Sequence, residues 1–269
     1  MTIEAVTLDF GNTLVPVDAT GLRGVVKVTA REMATRFGPF AVEDVLEAWH
    51  EERERQFREE VPQFREVDLA QRVVRILARL RGMVPPPAEM PWDDEAAARW
   101  SDPGEVAHAV DVYSHAFVEA LPADPAATEV LRDLAARYRL AILSNWPLAV
   151  TIDRYAEAQG WLPYLSAVVV SQRVGTIKPH PAIFEAAREA LGGLEPDRIC
   201  HVGDDWAADI VGARSVGWHA AWLSVRPEDS PLPGSERDTR VEACAEIGSL
   251  GALAAAIDAI DAVEPPAGR

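Results

Sequence analysis

Short unbroken apolar runs punctuate the chain: "AVTLDFGN", "RLAILSNW", "SAVVVSQ", "RICHVGDD" and "GWHAAWLS". Unbroken rather than alternating runs predict strands covered on both faces, hence a parallel sheet. Between them, "DPAATEVLRDLAARY", "PLAVTIDRYAEAQG", "PAIFEAAREALGG" and "WAADIVGARSVGW" repeat apolar positions at helical spacing. Gly160, Gly192 and Gly217 stand where those helices should end. Strand and helix alternate from about residue 122 onward, which predicts an α/β fold built on a doubly wound parallel sheet.

The rhythm breaks between Val17 and Leu121, where four amphipathic helical patterns follow one another: "GLRGVVKVTAREMATRFG", "VEDVLEAWHEERERQFREE", "VDLAQRVVRILARLRG" and "GEVAHAVDVYSHAFVEAL". The proline-rich "MVPPPAEMPWDD" must interrupt them. The expected organisation is a discontinuous α/β core, residues 1–16 and 122–263, with an all-helical domain inserted at 17–121 and a flexible tail at 264–269. Such an insertion belongs over the C-terminal edge of the sheet, where doubly wound folds bind ligands. Its hinges fall near Val15 to Asp18 and Leu121 to Asp124.

Size and composition limit the partners. A chain of 269 residues with 48% hydrophobic content supports a sizeable core. Lys and Arg number 26 against 43 Asp and Glu, a formal net charge of −17. That field disfavours nucleic acid and anionic membrane as partners. A phosphorylated small molecule then needs local cations or a metal. "MTIEAVTLDF" enters a strand at once, without a leader pattern, and no apolar run reaches the roughly 20 residues of a membrane span. A cytoplasmic monomer or homodimer is expected. Cys200 and Cys244 form neither a disulfide framework nor a zinc spacing, and Cys200 reads as a buried thiol.

Chemistry gathers at the strand ends. Asp9 ends the first run, Ser144 the second, and Asp204 and Asp205 the fourth, with Asp209 one helical turn on and Lys178 in "VGTIKP". Ends of parallel strands converge on one crevice, so these residues can meet. Asp9 is a candidate nucleophile. Thr13 and Ser144 are donors for an anion, Lys178 brings charge, and the acids suit a hard divalent cation.

In their order these segments resemble the four motifs of the haloacid dehalogenase superfamily of hydrolases: "LDFGNTL", "LSN", "IKPHPAIFEAA" and "HVGDDWAADIVGARSVGW". The helical insertion is similar to the cap of one subfamily. The resemblance implies a Rossmann-like core and a magnesium-dependent phosphatase acting on a small phosphorylated metabolite. It makes Asp9 the nucleophile, with Thr13 and Ser144 holding the transferred group and Lys178 neutralising charge. Magnesium would fall to Asp9, the Gly11 carbonyl, Asp204, Asp209 and Asp205, and substrate contacts to Gly11, Asn12, Asn145 and Trp146.

One position departs from the family pattern. Phosphatases of the superfamily carry an acid two residues after the nucleophile, and this chain has Gly11. General acid–base catalysis is worth about 10²–10⁴-fold, so substrates with good leaving groups are favoured. Candidate replacements are Asp205, His180, His50, His108 and His115. A metal-independent dehalogenase-like hydrolase and a catalytically impaired, ligand- or partner-binding member are the alternative readings. Lys27 is the only lysine of the insertion. "HEERERQFREE" reads as a solvated, salt-bridged helix face, although Arg53, Arg58 or Arg65 can reach the site from it. Trp49, Trp92 and Trp100 read as packing residues of the insertion, while Trp146 is placed to wall the crevice.

Overall fold

Six parallel strands form one sheet among the described residues of this computed structural model, which are 2–87 and 94–262. The expected tail at 264–269 and Trp92 lie outside them. The strands are β1 (Ala5–Leu8), β2 (Arg139–Ser144), β3 (Ala167–Val170), β4 (Ile199–Gly203), β5 (His219–Leu223) and β6 (Ala245–Ile247), in the order β3-β2-β1-β4-β5-β6. From central β1 the chain winds one way through β2 and β3, then the other way through β4 to β6. The order therefore reverses at β1, and the crevice for a ligand opens there. Leu8 pairs with Ile142 on one side and with Val202 on the other. Asp9, Ser144 and Asp204 consequently leave the sheet side by side.

Buried clusters on both faces account for the unbroken apolar runs. Val6, Leu8, Leu140 and Ile142 pack into one, while Ala5, Ala141, Leu143 and Ala220 pack into the other. The first face is covered by α6 (Ala127–Ala135), α7 (Ala149–Ala158) and α11 (Leu253–Ala262). The second is covered by α9 (Pro181–Ala190) and α10 (Gly212–Ser215), with α8 (Ser171–Val174) leading from β3. Gly160, Gly192 and Gly217 take positive φ at the expected helix ends, 69°, 93° and 82°. The fourth helical pattern opens with one wide π turn, Trp206–Val211, before α10. No described helix is long and apolar enough to cross a membrane.

Between β1 and α6 run α1 (Ala19–Arg36), α2 (Val42–Glu59), α3 (Leu69–Leu80), the single turn α4 (Asp94–Ala97) and α5 (Pro103–Ala120). Asp18 caps α1 and Asp68 caps α3, while Asp102 and Glu105 form a capping box ahead of α5. Phe117 of α5 packs against Phe10 and Trp146 at 6.1 and 5.1 Å between ring centroids, so the insertion shares an apolar cluster with the sheet.

The solvated-face reading of α2 is corrected. Glu52, Gln56 and Glu60 are buried toward α3. Glu52 meets Arg75 at 2.6 Å and Arg55 at 2.8 Å, which lets a carboxylate enter the interior with its charge matched.

Candidate active site

Asp9 is held just beyond β1 by its backbone N–H, which donates to the Val202 carbonyl at 2.8 Å. Lys178 is buried among three acceptors. Its Nζ donates to Asp9 Oδ1 at 2.8 Å, Asp209 Oδ1 at 2.7 Å and the Leu143 carbonyl at 2.8 Å. Asp9 Oδ2 has no hydrogen-bond partner among the described residues and remains open to chemistry. The lysine is anchored by Asn145, whose amide clasps its backbone N–H at 2.7 Å and carbonyl at 3.0 Å. Asn145 thus positions Lys178, using one N–H and one lone pair of its amide for that task.

Asp209 is saturated from within. Its Oδ1 also accepts from His201 Nε2 at 3.0 Å, and its Oδ2 accepts the Asp205 N–H at 2.9 Å. A Cβ at residue 203 would collide with this carboxylate, which explains Gly203 at the end of β4. His201, buried in β4, completes the chain of contacts through Nδ1 and Thr7 Oγ1 at 2.8 Å. Alternation in "ICHVG" places this histidine on the same side of the strand as Ile199 and Gly203, but only the structure joins it to Asp209.

Electrostatics follow from burial. Desolvation pushes the Asp9 carboxyl up, opposed by Lys178. Desolvation also opposes ionisation of Asp209, but Lys178 and His201 outweigh it and hold that carboxyl well below the usual range. Lys178 stays protonated because Asp209 and Asp9 overcome the cost of its burial. His201 is lowered by burial and by Lys178, so it is neutral at pH 7. Asp204 is raised to about 8 by burial and by Asp209 and Asp9, with Arg226 pulling it back.

Oxygens of Asp9, Asp204 and Asp209 lie within 4.8 Å of one another. An added cation would relieve exactly the repulsion that raises Asp204, so the donor set fits a divalent metal. Asp205 does not join this set and is corrected. It caps the π turn through Ala208 N–H at 2.7 Å and ties Ser235 N–H at 2.7 Å. Two further candidates lie near Asp9, one on the turn that follows it and one at the end of the neighbouring strand β2. Thr13 Oγ1 and Ser144 Oγ are buried hydroxyls without a hydrogen-bond partner. Unpaired buried hydroxyls are costly, and a bound oxyanion would satisfy them.

The turn after Asp9 is shaped by a segment that the sequence reading passed over, residues 224–244 between β5 and β6. Asn12, at φ 58°, reaches Asp204 at 3.3 Å and Ser230 at 3.0 Å. A Cβ on Gly11 would meet Leu232 Cδ1 at 2.6 Å and Trp146 Cζ3 at 3.2 Å. Arg226 Nη1 stands 3.3 Å from Asp204 Oδ2. The only advance signal was composition, a Pro- and charge-rich stretch "RPEDSPLPGSERD". Trp146 does not form an open wall. It is 2% exposed, wedged against Phe10 and Phe117, and offers one ring edge to Gly11.

No candidate substitute acid reaches the cluster among the described residues. His180 caps α9, accepting from Ala182 N–H at 3.2 Å, while His108 pairs with Glu32 and His115 with Asp111 and Arg154. His50 and Lys27 are exposed. Arg58 pairs with Glu59.

A doubly wound sheet with a lysine-bridged carboxylate cluster at its switch point defines an α/β fold whose ligand site lies at the strand ends. A model of the haloacid dehalogenase-like hydrolases matches residues 3–217, and the chain belongs to that family. Over 130 residues it is 28% identical to the pyrimidine 5′-nucleotidase YjjG of Escherichia coli, covering 48% of this chain and 56% of that protein. Over 110 residues it is 34% identical to the phosphoserine phosphatase of Thermus thermophilus, covering 40% and 42%. The chain spans about half the length of these curated relatives. The solved 2-haloacid dehalogenase of Pseudomonas syringae superposes with a TM-score of 0.64 over 96% of this chain and 99% of that one; at 22% identity the likeness concerns fold. Phosphatases and nucleotidases are among its relatives.

Proposed function

We propose that the protein is a magnesium-dependent phosphatase that acts on a small phosphorylated metabolite through an aspartyl-phosphate at Asp9. The observation that carries this reading is the pair of unsatisfied buried hydroxyls, Thr13 and Ser144, beside a carboxylate whose Oδ2 is free. Three phosphoryl oxygens suit those donors, and a carboxylate positioned by Lys178 suits in-line attack. Asp9 Oδ2 forms the bond to phosphorus as the ester oxygen leaves. Water then attacks phosphorus, frees phosphate and restores the carboxylate. Lys178 holds Asp9 in place and offsets the negative charge of the reacting group.

Asp9, Asp204 and the Gly11 carbonyl would hold the magnesium ion, with Asp209 behind them. When bound, the ion supplies positive charge that lets two anions, carboxylate and phosphate, approach. The helical insertion, residues 17–121, serves as a cap that excludes water.

Proton delivery sets this chain apart from the family pattern. At residue 11 there is no side chain, and Leu232 and Trp146 close the space where one would project. Substrates whose leaving group departs without protonation are therefore favoured. A second reading draws on Arg226, whose guanidinium already serves Asp204 as a counter-charge. It would allow metal-independent hydrolysis of a substrate with a good leaving group, such as a haloacid.

Phosphate release from 4-nitrophenyl phosphate, with and without magnesium, tests the proposal. Magnesium-dependent release that Asp9→Asn abolishes supports it. Release of halide without metal would replace it with the second reading. Absence of both, with tight ligand binding insensitive to Asp9→Asn, would make the protein a binding member of the family.

A further inference from the structure

Most buried arginines of the helical insertion are matched to acids: Arg55 and Arg75 to Glu52, and Arg55 also to Glu60. Arg72 on α3 is different. It is 5% exposed, yet among the described residues no carboxylate lies within 4.0 Å of it. Its Nε donates to Gln56 Oε1 at 2.7 Å and its Nη2 reaches the Val67 carbonyl at 3.5 Å, while Nη1 has no partner. A buried guanidinium without a counter-charge is expensive, and an incoming anion would relieve it.

Two more polar groups stand near it. The Arg72 guanidinium lies 5.8 Å from the ring of Trp49, which stacks on Tyr113 at 6.0 Å. The Tyr113 hydroxyl makes no hydrogen bond, although its residue is 5% exposed. Arg53 on α2 adds the second cation, its sole ion pair among the described residues being to its exposed neighbour Glu54. Burial, with the charge of Arg53 adding to it, lowers Arg72 to about 10. Two guanidinium groups that repel each other, with a free hydroxyl alongside, form an incomplete oxyanion receptor. The nearest acids do not complete it. Glu60 is taken by Arg55, and Glu66 accepts from Ser171 with its carboxyl raised to about 7 by burial.

Contacts link the group to the turn after Asp9. Arg53 Nη2 donates to the Pro231 carbonyl at 3.1 Å, and the next residue, Leu232, is the one packed over Gly11. Ring separations of 6.5 Å from Tyr113 to Phe117 and 6.1 Å from Phe117 to Phe10 lead to the neighbour of Asp9.

We propose that Arg53, Arg72 and the Tyr113 hydroxyl bind a second, non-reacting oxyanion of the substrate, so that the enzyme takes phosphate monoesters bearing an additional carboxylate or phosphate. This rests on the phosphatase reading and names its substrate class. It also answers the net charge of −17, which would otherwise repel such a polyanion.

Matched esters test it: 3-phosphoglycerate against glycerol 3-phosphate, and fructose 1,6-bisphosphate against fructose 6-phosphate. The first pair isolates a carboxylate and the second a phosphate. Affinities are measured calorimetrically on the full chain carrying Asp9→Asn, and kcat/KM on the wild type. The more acidic member of at least one pair should bind about 10- to 100-fold tighter, as charge-assisted hydrogen bonds allow. Arg72→Met should bring that preference to within about threefold. Arg53→Met, at a more exposed position, provides the same reading if Arg72→Met fails to fold. Equal binding within both pairs overturns the proposal, as does a preference that survives in a folded variant. If the wild type hydrolyses no ester, the phosphatase reading falls, while the binding comparison still decides the subsite.

Discussion

Restoring an acid at residue 11 should help catalysis in full only if Leu232 gives way. A general acid–base group is worth about 10²–10⁴-fold, or about 2.7–5.4 kcal/mol of barrier. Against that stands a steric conflict, because a Cβ at Gly11 falls 2.6 Å from Leu232 Cδ1 and 3.2 Å from Trp146 Cζ3. Forcing extra atoms into a packed site costs about 1–3 kcal/mol. Leu232 is half-buried and ends a flexible side chain, so it can yield, whereas Trp146 is locked between Phe10 and Phe117. The conflict should therefore remove about 1–3 kcal/mol of that gain, so Gly11→Asp alone should raise hydrolysis of glycerol 3-phosphate by about 5- to 150-fold less than an unhindered acid would. Gly11→Asp with Leu232→Ala should raise kcat by at least about tenfold, with Leu232→Ala alone near wild type. The assay is phosphate release at saturating magnesium, with 4-nitrophenyl phosphate as a control whose leaving group needs no proton. A full gain from Gly11→Asp alone would show that Leu232 offers no resistance. No gain in the folded double variant would refute the idea that proton delivery is what the chain lacks.

Other parts of the site are open to similar tests. Lys178→Met leaves Asp9 and Asp209 facing each other without their shared cation; loss of a buried partner costs about 3–5 kcal/mol. The melting temperature should fall, and added magnesium should recover part of the loss. Arg226→Gln removes the cation 3.3 Å from Asp204 Oδ2. Calorimetry should then find magnesium bound several-fold more tightly, and unchanged or weaker binding would mean that the guanidinium does not compete. Glu66 is raised from 4.5 to about 7, so the folded chain holds a proton there that the unfolded chain has lost. Its stabilisation is complete below about pH 4.5 and disappears as pH rises through about 7, a change of roughly 1–3 kcal/mol after allowance for partial exposure. Glu66→Gln should flatten that part of the stability profile. An unaltered profile would place the pH dependence elsewhere.

Strand positions were legible because burial on both faces leaves a long apolar signature, and because Asp9, Ser144 and Asp204 stand where each signature stops. Helix ends were legible through Gly160, Gly192 and Gly217, all of which take positive φ. Pairing was not. Asn145 looked like a substrate contact, since nothing local reveals that its amide faces the backbone of Lys178, 33 positions away. Asp205 looked like a ligand beside Asp204, yet consecutive residues diverge at a strand end, and its carboxylate turns to the Ala208 N–H. On α2, alternating charge suggested a wet surface, because periodicity reports which side is apolar and not whether a facing helix brings arginines.

The hardest feature to anticipate was the relation between Gly11 and residues 224–244. A glycine in place of an acid looks, in isolation, like a lost function. In the folded chain the vacated space is occupied by Leu232, while Ser230 holds Asn12 and Arg226 meets Asp204. One segment thus touches the turn after Asp9 at two points, with apolar bulk and a hydrogen bond, and brings a positive charge to Asp204 beside it. Arg53 and Ala19 bind the same segment from the helical insertion, through the Pro231 carbonyl and the Asp229 carboxylate. A bare gap at residue 11 would admit water near the reacting phosphorus. The leucine closes that gap while leaving Asp9 Oδ2 and the Thr13 and Ser144 hydroxyls free. The departure at Gly11 and the strap over it therefore act as one structural unit, and variants at either place should be non-additive.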